Sequence, residues 1–203
     1  MKFIFSLFIS VLFVATISGQ NISLKNQKGF KYKRLSVLDS LNIKEPDFKN
    51  VDIELRVYYT VWNFDPMNSK FIQIVKDKNG LWSGKSYLYY FYNSNYYNYK
   101  DVSIKTLSLE HWDKVWQTIV KENYLNLPTD SDIKQEKKPP VAIADGCDYT
   151  IEILTKKRKR RISFNNPESM YKSCLEYGLS CYEYKRFLQL IQLLKTELDL
   201  QLY

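Results

Sequence analysis

From Asp52 onward, apolar residues recur at every second position: Ile53, Leu55, Val57 and Tyr59 alternate with Glu54, Arg56 and Tyr58. A side chain changes face at each step only in an extended strand, so this period places the segment in a β-sheet with one side toward a core. Two further apolar runs, residues 71–75 and 81–92, are separated by Asp77, Lys78, Asn79 and Gly80. Asn-Gly between strand-like runs signals a tight hairpin, because both residues tolerate the positive φ that such a turn needs. A second hairpin follows later in the chain. Tyr149, Ile151 and Ile153 alternate with Thr150, Glu152 and Leu154, a basic turn intervenes, and Arg160, Ile162 and Phe164 resume before Asn166 and Pro167 end the pattern.

Between the hairpins the period becomes helical. Leu109, Trp112, Val115, Trp116 and Ile119 share one face, with Ser108 as the expected cap and Asn123 as the stop. A loop through Pro128, Pro139 and Pro140 leads to Asp145 and Gly146, and the chain closes with a long amphipathic helix through Phe187, Leu190, Ile191, Leu194 and Leu198. Strands in groups, one helix between them and one at the end predict an α+β fold. The expected sheet is antiparallel, of about five strands in two hairpin groups, and is covered by two amphipathic helices.

Residues 1–19 read as a cleavable export signal: Lys2, an apolar stretch, then the small pair Ser18 and Gly19. The stretch is shorter than the ~20 apolar residues of a membrane span, so a retained anchor is the lesser alternative. Cleavage is expected after Gly19, and no cysteine beside it offers a lipid-attachment site. Residues 20–48 form a polar, lysine-rich arm with a weak apolar cluster at Leu35, Leu38 and Leu41, and residues 49–203 form one domain. No transmembrane segment is expected in the mature chain, which is placed in the periplasm or outside the cell.

The net charge of +8 favours anionic partners without specifying one. Its sharpest concentration is Lys156, Lys157, Arg158, Lys159, Arg160 and Arg161. On an exported chain this run suits an anionic glycan, with Lys157, Arg158 and Lys159 as candidate contacts. The alternative is a solvated hairpin tip whose charges discourage edge pairing. Aromatic residues do not interleave with the cations, which makes nucleic acid a poor fit. The second candidate surface lies in the tyrosine-rich residues 87–99. Tyr87, Tyr89 and Phe91 suit a core face, whereas the Asn/Tyr half is expected as an exposed loop in which Tyr96, Tyr97 and Tyr99 present rigid contact area to a protein or sugar.

The catalytic alternatives are fewer. His111 is the only histidine, and no paired-cysteine spacing accompanies it, so no metal site and no cofactor are expected. A small hydrolase would have to use Cys147 with His111, or carboxylates among Asp130, Asp132, Asp145 and Asp148. Asp145 and Gly146 also read simply as a turn feeding the next strand. Cys174 and Cys181 flank Gly178 at a break between two helical segments, so they are candidates for a disulfide, the alternative being buried thiols.

Asp145, Gly146, Tyr149, Ile151 and Glu152, followed by a basic hairpin and Asn166 and Pro167, resemble small exported proteins of Bacteroidota-type bacteria with no assigned activity. Trp112, Trp116, Leu127 and Pro128 are similar to the same proteins. The resemblance spans roughly the C-terminal half. It implies a bacterial periplasmic or secreted setting and supplies no catalytic residues. The expected role is a binding or interaction module for a protein or an anionic glycan, with the small extracytoplasmic hydrolase as the alternative.

Overall fold

The computed structural model describes residues 24, 25, 27, 35–61, 67–92, 98–140 and 146–198. The expected leader, Tyr96, Tyr97 and Asp145 lie outside them. Six strands form one antiparallel sheet: β1 (Val51–Val61), β2 (Met67–Asp77), β3 (Trp82–Tyr92), β4 (Asn98–Thr106), β5 (Cys147–Thr155) and β6 (Lys159–Asn165). Their order is β4-β3-β2-β1-β5-β6. The two expected hairpin groups therefore meet on β1. The Asn-Gly turn joins β2 to β3, with Gly80 at φ +85°.

The strand beyond the expected five is β4, which begins inside the segment read as an Asn/Tyr loop. Tyr99 consequently sits in a ladder opposite Phe91. The pairing of β3 with β4 slips between Leu88 and Tyr90, so two β4 residues face one on β3. A bulge of this kind breaks the alternation by which a strand is recognised.

Helix α1 (Val37–Ser40) belongs to the N-terminal arm, and three longer helices, α2 (Trp112–Lys121), α3 (Pro167–Glu176) and α4 (Tyr182–Leu198), cover one face of the sheet. Trp112, Val115, Trp116 and Ile119 of α2 and Phe187, Leu190, Ile191 and Leu194 of α4 pack with Leu55, Val57, Ile72, Ile74, Ile151 and Phe164 in the main core. Phe164 stacks on Phe187 with ring centroids 4.1 Å apart. The start of α2 differs from expectation. Its first residue is Trp112, His111 occupies the cap position without a side-chain cap bond, and the Ser108 hydroxyl donates to Glu110 instead. Asn123 ends the region in the left-handed conformation, at φ 57°, which asparagine tolerates better than most residues.

The alternation of β1 implies a wet second face, yet Glu54, Arg56 and Tyr58 are buried there. Their cover comes from the N-terminal arm. Residues 35–45 cross this face through α1 (Val37–Ser40), and Val37, Leu38, Leu41 and Ile43 pack on Tyr58, Phe71, Tyr87 and Tyr89. Pairing in register carries one aromatic row across the sheet, from Tyr87 through Phe71 to Tyr58.

Candidate functional site

The basic run is divided by the turn between β5 and β6. Thr155 pins that turn: its amide donates to the Arg158 carbonyl (2.8 Å), and its hydroxyl accepts from the Arg158 amide (3.0 Å). The closure leaves Lys156, Lys157 and Arg158 exposed. None of the three makes an ion pair among the described residues. From Lys159 the chain is in β6, and its cations turn to the protein. Lys159 donates to Glu45 at 3.0 Å. Arg160, only 5% exposed, donates to the Leu127 carbonyl at 2.5 Å and to that of Lys25 at 3.2 Å. Arg161 donates to Glu152 at 2.9 Å. Of the three contacts expected, Lys157 and Arg158 stand free at the tip, whereas Lys159 clips the arm to the sheet.

Arg161 belongs to a buried ionic cluster beneath residues 35–45. Arg56 and Glu152 are both 0% exposed and Glu54 2%. The Arg56 guanidinium donates to Glu54 at 2.5 Å and approaches Glu152 at 3.7 Å and Glu45 at 4.0 Å. It also reaches the Lys44 carbonyl at 3.2 Å. Tyr58 donates to Glu152 at 3.1 Å, and Gln73 to Glu54 at 3.0 Å. Burial pushes the Glu54 carboxyl above its ordinary range despite the pull of Arg56 in the other direction. Alternation located these residues on one side of β1 but gave no sign that the arm would cover them.

Cys147 lies at the opposite end of the sheet from His111. Trp82 packs on Trp112 beside His111, and the register joins Trp82 to Lys76, Lys76 to Ile53 and Ile53 to Thr155. Cys147 pairs with Val61 at the far end of β1, a span of about 26 Å at the usual strand rise. A Cys147–His111 nucleophile pair is therefore excluded. The partner of Cys147 is Glu168 in the first turn of α3, with the thiol sulfur 3.7 Å from the carboxylate. Burial pushes the thiol up in pKa, and the Glu168 charge adds to the effect, which is opposite to what a nucleophilic thiolate requires.

Glu168 also accepts from the Tyr149 hydroxyl at 3.4 Å and from Lys195 at 3.4 Å. Tyr149 stacks on Tyr59 at 4.5 Å, and burial pushes the Tyr59 hydroxyl up to about 12. Glu168 and Lys195 also face an open cleft of about 400 Å³ between α3 and α4, whose remaining polar lining is Tyr171, Lys185, Gln189 and Gln192. Asn166, left-handed at φ 45°, holds the start of α3 against β5 by accepting from the Cys147 amide at 2.7 Å. The sequence reading missed this group because its members meet only through the fold.

The described loop carboxylates are occupied structurally. Asp130 accepts from Tyr184 at 2.9 Å and pairs with Lys138 at 3.5 Å, Asp132 closes a capping box on Thr129, and Asp148 accepts from Asn165. Among the described residues no cluster of three or more His, Cys, Asp or Glu is arranged to hold a metal ion, and no helix is long and apolar enough to cross a membrane. The chain matches no protein-family model and no curated protein.

Proposed function

We propose that this chain is an exported bacterial binding module, working in the periplasm or outside the cell, that holds an anionic glycan against the turn between β5 and β6. The observation that carries this reading is the division of the basic run. Lys159, Arg160 and Arg161 are drawn into contacts with carboxylates and backbone carbonyls, while Lys156, Lys157 and Arg158 remain exposed on a turn braced by Thr155. A braced turn loses little freedom when a ligand docks, and clustered cations raise the local concentration of a polyanion.

A hydrolase draws no support from this geometry, since burial and the Glu168 charge disfavour the Cys147 thiolate and the described loop carboxylates brace the fold. The protein-binding version rests on Tyr96, Tyr97 and Tyr99, of which Tyr96 and Tyr97 lie outside the described residues. The test is salt-gradient elution from a uronate or sulfated polysaccharide matrix. Substituting Lys156→Ser, Lys157→Ser and Arg158→Ser together should lower the eluting salt concentration and leave the urea midpoint unchanged, because exposed charges contribute little to stability. Elution of the triple variant at the parent salt concentration would remove the tip from the function.

A further inference from the structure

The turn between α3 and α4 is set by backbone geometry. Gly178, at φ +66°, is the left-handed residue after α3. The Leu179 amide donates to the Cys174 carbonyl at 2.9 Å, and the Gly178 amide to that of Leu175 at 3.0 Å. These two bonds form the Schellman closure of a helix. It reverses the chain so that Cys181, the residue before α4, returns to Cys174. Both are free thiols in the structure, and their side chains meet in a buried site. The Cys181 thiol donates to the Leu179 carbonyl at 3.1 Å, within the same turn. Cys147 lies on β5 at Glu168, apart from this junction.

We infer that Cys174 and Cys181 form a disulfide across the α3–α4 junction, leaving Cys147 as the single free thiol, and that the bond fixes the two walls of the cleft. The inference takes its oxidising compartment from the export reading. Each thiol gives up its proton and the two sulfurs join. The two electrons pass to an external disulfide, of the oxidised glutathione or dithiol oxidoreductase class, which is reduced to two thiols. Exchange requires a thiolate. Burial pushes the Cys174 thiol up to about 12, so reaction in the closed fold is slow. Once formed, the bond is kept from reductants by the burial of both side chains.

The test refolds the purified chain from denaturant in a mixture of oxidised and reduced glutathione, traps thiols in acid, alkylates under denaturing conditions and cleaves after Glu176. That residue lies between the two cysteines, so the two flanking peptides stay joined only through a disulfide. The expected products are a Cys174–Cys181 linked pair, about 2 Da lighter than the two thiols, and an alkylated Cys147. The Cys147→Ser variant should give the same linked pair. The oxidised chain should melt about 5–10 °C above the reduced chain, the increment expected for closing a short loop in a domain of this size. A disulfide that includes Cys147, or three alkylated cysteines after oxidative refolding, overturns the inference. A linked pair after refolding, together with free thiols in chain recovered from its host, upholds the inference and overturns export instead.

Discussion

Substituting Arg56→Met keeps the length of the side chain and removes the cation from the sheet's second face. Glu152 then retains Arg161 at 2.9 Å and Tyr58 at 3.1 Å, while Glu54, 2% exposed, loses its 2.5 Å bond to Arg56 and retains the Gln73 amide at 3.0 Å. Removing one partner of a buried pair costs about 3–5 kcal/mol, a large share of the ~5–15 kcal/mol that holds a domain together. The sign of the pH dependence follows from Glu54, whose folded pKa is raised above 4.5 by burial. The folded chain then holds this proton at higher pH than the unfolded chain. The stabilisation is present below the unfolded pKa and is lost as pH rises through the folded one. Arg56 supplies the pulls that lower this pKa most, so its loss moves the window upward. The penalty at pH 7 should shrink by pH 5. Urea unfolding followed by fluorescence of Trp82, Trp112 and Trp116, which lie in or against the main core, measures both values. Adding Glu54→Gln should recover part of the loss and flatten its pH dependence. A penalty under ~1 kcal/mol at both pH values, or one unchanged between them, refutes the reasoning.

Leu38→Ala should cost about 2–5 kcal/mol in urea unfolding, because Leu38 is 0% exposed under the arm; a loss below ~1 kcal/mol would mean that the arm is not part of the folded core. Gly146→Ala would place a Cβ 1.4 Å from the Asn166 side-chain oxygen that accepts from the Cys147 amide. The displaced bond should lower stability by about 2–3 kcal/mol, read from the same urea midpoint. Glu168→Gln removes a charge that raises the Cys147 pKa, so Cys147 should alkylate faster than in the parent at pH 8; an equal or slower rate counts against the contact.

Where a segment's own pattern decides its structure, the sequence is readable. The alternation of β1 and β5, the Asn79–Gly80 turn, the apolar faces of α2 and α4 and the break at Gly178 all depend on neighbours within a few positions. What eluded reading was set at a distance. The bulge opposite Tyr89 hides β4, and the burial of Glu54 and Arg56 depends on Leu38 and Ile43, which precede them by a turn and a loop. The contiguous run from Lys156 to Arg161 looks like one patch, yet its members separate according to whether the residue belongs to the turn or to β6. Likewise, Cys147 and Glu168 meet only after β5, β6 and α3 have assembled.

Amide chemical-shift mapping during titration with a defined uronate or sulfated oligosaccharide locates the ligand directly. Shifts concentrated at residues 155–159, saturating with added ligand and suppressed by salt, are the predicted result. Shifts confined to the cleft residues between α3 and α4, or no saturable change at all, would contradict a binding module that works through its hairpin tip.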